Sequence, residues 1–228
     1  MEAGTHIVSL DLGFAGEPTA LAVVTPSTRF FYADPRETEV AWENSFEVRH
    51  LERFPPGTPY IEAVMRTQEL RSDRVRLPRS EIVVNTSSSG PEPLKAFRDR
   101  GVHPRAFTIL NGEAGSWRGD TRGVSKRVIV GATVRLMQEG RMKVAEALDL
   151  SQALVNELTT FRMRPVTSSD PIEATREGKD GDLVFAVGLA CWWGDTLTWD
   201  DDADERMNRR VDGYDMAWDT GRCEITGY

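Results

Sequence analysis

The stretch from Thr5 to Thr25, THIVSLDLGFAGEPTALAVVT, constrains this chain more than any other. Ile7 to Leu10 read as a strand, Asp11 stands at its end, and Thr19 to Thr25 read as a second strand after a glycine turn. A carboxylate at the end of a buried strand is costly unless a partner pairs with it or a ligand binds it. Gly13 and Gly16 let the backbone turn sharply and keep that carboxylate reachable. The rest of the chain has to supply what Asp11 faces.

Bulk properties narrow the classes. At 228 residues the chain is long enough for one well-buried domain with a small appendage. The formal net charge of −8 argues against broad, nonspecific adhesion to nucleic acid or anionic membrane, while leaving room for a local basic groove or an acidic site that recruits cations. Two cysteines, Cys191 in an apolar run and Cys223 near the end, make no disulfide framework and predict a reducing cytoplasm. No apolar run is long enough for a membrane span, and the N-terminus does not read as a signal peptide.

Taken in order, a turn at Pro26-Ser27 precedes a short strand over Arg29 to Ala33, and Val40 to Phe54 forms a longer alternating strand. Thr58 is the predicted N-cap and Pro59 the first residue of a helix with Ile61, Val64 and Met65 on one face. Glu81 to Asn85 (EIVVN) reads as a central strand covered on both faces. A helix opening at Pro91 buries Leu94 and Phe97 and closes at Gly101; RAFTIL at 105 to 110 is the next strand. Asn111 to Gly123 reads as a surface loop. Ser125 caps a helix whose inward stripe is Val128, Ile129, Ala132 and Leu136, ended by Gly140. Met142 to Ala145 reads as a short strand, and Ser151 to Phe161 as a helix with Leu154, Leu158 and Phe161 in register. Asp182 to Trp193 is an almost wholly apolar, buried helix. The division predicted is a domain over residues 1–194 and an acidic C-terminal tail over 195–228. The order of elements gives a mixed α/β fold.

Six segments, in order and covering about residues 5 to 194, carry a resemblance: DLGFAGEPTALAVV, RHLERFPPGTPY, EIVVN with its serine-glycine turn, GVSKRVIVGATVRLMQEGRMKV, ALVNELTTFRM and REGKDGDLVFAVGLACWW. Together they resemble the nuclease domain of the large terminase subunit of tailed bacteriophages, a member of the ribonuclease H-like superfamily. The resemblance implies a ribonuclease H-like mixed sheet, antiparallel hairpins joined to parallel strands, with helices on both faces. The G-x-x-x-x-G-K-[ST] phosphate loop of the ATPase motor is absent from these residues.

The family cuts DNA with two divalent ions, about 4 Å apart, that clamp the attacking and leaving oxygens of a phosphodiester. Hard oxygen ligands suit Mg²⁺ or Mn²⁺. The resemblance makes Asp11 the first metal-binding acid. Where the family usually reads V-V-D-x-T-G, this chain has Val83-Val84-Asn85-Thr86-Ser87, so the second position offers a neutral carbonyl oxygen. Where the family often reads H-D-D-L-V, it has Asp180-Gly181-Asp182-Leu183-Val184. Asp11, Asp180 and Asp182 are therefore the expected metal ligands, with Asn85 a weakened catalytic position. Lys126, in VSKR at a helix start, is the candidate DNA phosphate contact.

Each has a plainer alternative. Asp182 also suits an N-cap. Glu17 and Glu113 read as solvated loop acids, and Arg71, Arg74, Arg76 and Arg79 serve a solvated face as readily as a nucleic-acid backbone. No zinc-type spacing joins His6, His50 or His103 to the cysteines. The resemblance implies a metal-dependent endodeoxyribonuclease acting on double-stranded DNA during viral packaging. Its expected partners are an ATPase motor, a portal or a small terminase subunit, and its expected place is the cytoplasm of a bacterial host or a prophage-bearing cell. The other readings are an impaired nuclease-fold protein that binds DNA or a packaging partner, and a ribonuclease H or resolvase-type enzyme.

Overall fold

The structure, a computed structural model, describes residues 5–13, 16–32, 40–73, 77, 79–110, 117–118, 121–161 and 181–196. Its strands are β1 (His6–Asp11), β2 (Thr19–Tyr32), β3 (Val40–Phe54), β4 (Ser80–Asn85), β5 (Arg105–Leu110), β6 (Trp117–Arg118), β7 (Thr121–Ser125) and β8 (Met142–Val144). Its helices are α1 (Tyr60–Ser72), α2 (Glu92–Arg98), α3 (Lys126–Gln138), α4 (Ser151–Thr160) and α5 (Asp182–Thr196). The strands form one sheet in the order β6-β7-β5-β4-β1-β2-β3-β8. β1, β2 and β3 pair antiparallel, whereas β1-β4, β4-β5 and β5-β7 pair parallel. This is the expected mixed sheet.

Alternation along the strands sends successive side chains to opposite faces, and each face has its own core. Ile7, Ala20, Ala22, Phe46, Val83 and Phe107 pack with α3, α4 and α5. Val8, Leu10, Leu21, Val84 and Phe97 pack with Ala63 and Val64 of α1 on the other face. Helix α5 is buried along nearly its whole length, as its apolar sequence requires. It runs antiparallel to β1. Asp182 at its start meets Arg53 near the end of β3, and a Cβ on Gly194 would touch Phe46 and Ile7 at the opposite edge.

Several local expectations are corrected. No turn forms at Pro26-Ser27, because β2 runs through both, with Pro26 opposite Phe46. β1 pairs with β2 only at Ala20 to Val24, so beyond that point β2 has a single neighbour and a missing N–H on its open side costs little. The Asn111 to Gly123 segment is not wholly loop: β6 and the start of β7 lie within it, and β7 extends the parallel sheet beside β5. Residues 142–144 form the expected short strand, which runs parallel to β3. In α1 the N-cap is Pro59, while the Thr58 hydroxyl donates to the Pro55 carbonyl. Its buried face is Ala63, Val64 and Thr67, and Met65 is exposed. Helix α5 continues past Trp193 to Thr196, with Asp195 and Thr196 buried. Residues 197–228 of the expected tail lie outside the described residues. Among the described residues no helix is long and apolar enough to cross a membrane.

Candidate nuclease site

The site lies at the carboxyl ends of the parallel strands, where open α/β sheets place their ligands. Asp11 ends β1 and Asn85 ends β4, and the two pair in register. Asp11 also pairs with Ala20 of β2, and Ala20 with Arg53 of β3. Asn85 pairs with Phe107 of β5. Arg53, Ala20, Asp11, Asn85 and Phe107 thus form one row across five strands. Directly opposed residues share a face, and this row faces α5, since Ala20 and Phe107 belong to the core beneath that helix. With strands about 4.8 Å apart, the Asp11 and Arg53 backbones stand about 10 Å from one another.

The turn after Asp11 is tied down by two hydrogen bonds. The Gly13 N–H donates to Thr19 Oγ1 at 3.1 Å, and the Tyr60 hydroxyl donates to the Gly13 carbonyl at 2.9 Å. Gly13 passes so close to the returning chain that a Cβ there would sit 2.3 Å from the Pro18 carbonyl oxygen. Gly16 turns at φ 109°, a conformation that favours glycine.

Asn85 plays a different part from the neutral carbonyl donor the sequence suggested. Its Oδ1 accepts both the Ser87 N–H at 3.1 Å and the Ser87 hydroxyl at 2.5 Å, while its Nδ2 donates to Asp11 Oδ1 at 2.5 Å. The reverse amide orientation would set an NH₂ against the Ser87 N–H and an oxygen against a carboxylate, so the network fixes this one. Ser87 is itself held, its Oγ accepting the Ile109 N–H at 2.7 Å.

Asp182, in the first turn of α5, is gripped by Arg53. Nε donates to Oδ2 at 2.7 Å and Nη2 to Oδ1 at 3.2 Å. Arg53 Nη2 also contacts Glu157 of α4, and Glu157 Oε2 accepts the Val184 N–H at 3.3 Å, occupying one of the unpaired donors at the start of α5. Burial, followed by the Asp182 charge, pushes the Glu157 carboxyl above its ordinary value against the pull of Arg53 and Val184. Burial alone would lower the Arg53 pKa, but its two carboxylate partners outweigh it and raise it. Asp11, Asn85, Asp182 and Glu157 are all buried, whereas the Arg53 side chain is 29% exposed.

Lys126 begins α3 close to the same helix end. Its ammonium lies 5.0 Å from the Phe185 ring centre and 5.6 Å from that of Phe161. Asp180, Glu113, Arg74 and Arg76 lie outside the described residues. Glu17 follows the Gly16 turn, and Arg71 Nε donates to Ser80 Oγ at 3.3 Å.

The sequence reading missed Arg53 and Glu157. Glu157 carried a signal: it lies three residues after Leu154 and four before Phe161, on the apolar stripe of α4, where an acid needs a buried partner. Arg53 carried a fainter one, sharing the strand parity of Phe46-to-Leu51 core positions only after the β-bulge opposite Val23 and Val24 is counted.

Chemically, the row and the α5 terminus bring together two acids of the expected set, Asp11 and Asp182, on one face and at one end of the sheet. Asn85 points a donor rather than an oxygen at Asp11, and Arg53 already balances Asp182. Among the described residues no three His, Cys, Asp or Glu groups are placed to hold a metal ion.

No protein-family model and no curated protein matches the chain by sequence. Its structure is similar to the large terminase nuclease of thermophilic phage G20c with bound magnesium, at TM-score 0.52 and 18% identity over 84% of this chain and 82% of that one. Likenesses also extend to the manganese-soaked human cytomegalovirus terminase nuclease domain (TM-score 0.49, 14% identity, 88% and 86% covered) and to the bacteriophage SPP1 g2p nuclease domain with bound manganese (0.44, 14%, 83% and 86%). The strand order, the two helical layers and the first of these likenesses converge on one architecture: this chain has the ribonuclease H-like fold of the large terminase nuclease domains.

Proposed function

We propose that the chain is a DNA endonuclease of the terminase type, hydrolysing phosphodiester bonds with the help of Mg²⁺ or Mn²⁺. The carrying observation is that Asp11 and Asp182, far apart in sequence, stand at the same end and on the same face of the sheet, beneath the start of α5. The magnesium-bound relative in fold supports the choice of a hard divalent ion. Asp11 and Asp182 would hold the ion, with Asp180 proposed as a third ligand. A bound ion of this kind polarises a phosphoryl oxygen and lowers the pKa of its water. The protein's own residues orient the acids: Asn85, fixed by Ser87, sets the Asp11 carboxylate, and Arg53 with Glu157 sets that of Asp182. Lys126 is the proposed contact to a flanking phosphate, its charge resting on Phe161 and Phe185. Double-stranded DNA is the proposed substrate. An ATPase motor, a portal or a small terminase subunit is the proposed partner, in the cytoplasm of a bacterial host.

A second reading draws on the Asn85–Asp11 hydrogen bond and the Arg53–Asp182 ion pair, which satisfy both acids from within the protein. It is a nuclease-fold protein that binds DNA and cuts poorly. Nicking of supercoiled plasmid with Mn²⁺, run beside Asp11→Ala and Asp182→Ala, separates the two. Cutting that both substitutions abolish supports the endonuclease; duplex binding with no cutting in either divalent ion supports the second reading. Cutting that survives Asp11→Ala rules out the first.

A further inference from the structure

We propose that Arg53 is a DNA phosphate-binding residue, presenting its guanidinium at the mouth of the site. This deepens the nuclease reading and rests on it for its setting, but it is tested without metal.

Geometry comes first. Arg53 stands in the same row as Asp11 and on the same face, with only the small side chain of Ala20 between them. Its Nε and Nη2 are engaged by Asp182 and Glu157. Its Nη1 has no partner among the described residues. A guanidinium carries five N–H donors in a planar fork, so Nη1 can bind an anion while the Nε edge stays fixed. Accessibility comes second. The Asp182 and Glu157 side chains are 7% and 4% exposed, and that of Arg53 is 29% exposed, so an approaching strand meets the guanidinium before either acid.

Charge comes third. Asn85 carries no charge, so Asp11 is the one acid in the row, and Arg53 adds a fixed positive charge beside Asp182. Both features raise the attraction for a phosphodiester. Asp182 and Glu157 hold the guanidinium against swinging away, a preorganised donor of the kind that stabilises developing negative charge. Lys126 lies near the start of α5, close to the Phe185 ring, so the two cations bracket that helix end, itself favourable to anions.

The test measures binding of a fluorescein-labelled duplex to the full chain in EDTA, by anisotropy, across a salt series. The charge-balanced pair Arg53→Gln with Glu157→Gln is compared with Glu157→Gln alone and with wild type. Removing one charge of each sign keeps the net charge, and the amide introduced at position 53 can still donate to Asp182. Circular dichroism melts verify that each protein is folded. We expect the double variant to bind about tenfold more weakly than Glu157→Gln, the size of one charge-assisted contact at a partly exposed site. The slope of log affinity against log salt should fall by about one. Equal affinity and slope for the double variant and Glu157→Gln would overturn the proposal, as would failure of wild type to bind duplex. Binding that depends on Arg53 without any plasmid nicking would uphold it while sinking the endonuclease reading; the converse pattern would do the reverse.

Discussion

Asn85 donates its amide to Asp11 across 2.5 Å, from the paired position on the adjacent parallel strand. That bond takes the place a shared cation would occupy between two carboxylates. Asn85→Asp should therefore convert a hydrogen bond into a like-charge contact that a divalent ion relieves. In EDTA the variant should lose about 1–3 kcal/mol, the cost of a lost buried partner. Millimolar Mn²⁺ should recover the loss and raise its melting temperature far more than that of wild type, by the linkage of binding to folding. Equal Mn²⁺ responses in the two proteins would show that position 85 does not face the ion.

Glu157 sets a pH dependence whose sign follows from its raised pKa. A carboxyl with a folded-state pKa above the ordinary value of 4.5 favours folding most in acid, and that advantage is lost as pH rises through the folded value. Glu157→Gln mimics the protonated form at every pH. The melting-temperature difference, variant minus wild type, should climb as pH is raised from 4 toward neutrality and then level off. A difference that falls over the same range would mean that Arg53 dominates and that Glu157 is a stabilised carboxylate.

Gly13 and Gly16 make opposite predictions about cause. At Gly13 an added Cβ would lie 2.3 Å from the Pro18 carbonyl oxygen and 2.5 Å from that of Glu17, both main chain, so the whole turn must move. Gly13→Ala should cost about 1–3 kcal/mol, as overpacking does. It should also weaken any Mn²⁺-dependent thermal shift, because the turn carries Asp11. At Gly16 nothing lies within 4 Å, and only φ 109° opposes a side chain. Gly16→Ala should cost about 1 kcal/mol of backbone strain and leave the ion response intact. Denaturant melts with and without Mn²⁺ distinguish them.

The opening hairpin and α5 were legible in the sequence because their signals are local: period-two alternation with a glycine turn for one, an unbroken apolar run for the other. The place of Asp11 at the end of β1 was legible for the same reason. The partners of the acids were not. Arg53 meets Asp182 across 129 residues of chain, and its strand parity is set through a bulge that no short pattern reveals. The strand through Pro26 was misread because proline reads as a break, and only the sheet order shows that this part of β2 has an open side. Strand β7 was hidden in a glycine-rich stretch whose pairing with β5 is not encoded locally. Asn85 was visible as a departure, but its role depended on which atom Ser87 holds.

At the other end of α5 an acid stands where the helix dipole disfavours it. Asp195 lies in the last turn, close to the unpaired carbonyls. It is tolerated because two arginines converge on it: Arg141 Nη2 donates to Oδ1 at 2.9 Å, and Arg135 Nη2 to Oδ2 at 2.5 Å. Arg141 in turn donates through Nε to the Asn44 carbonyl at 2.5 Å and through Nη1 to Glu139, so the cluster joins α5, α3 and β3. The Arg141 side chain is only 10% exposed. Removing Asp195 leaves that guanidinium short of charge compensation in a buried setting, so Asp195→Ala should cost about 3 kcal/mol. The site should survive it, because the 15 residues of α5 place its two ends about 21 Å apart along the axis. Chemical denaturation should thus show a large loss of stability with an unchanged Mn²⁺-dependent shift in the melting temperature. A variant that melts like wild type would mean that Glu139 and the Asn44 carbonyl suffice for Arg141, and that α5 is held by its apolar flanks alone.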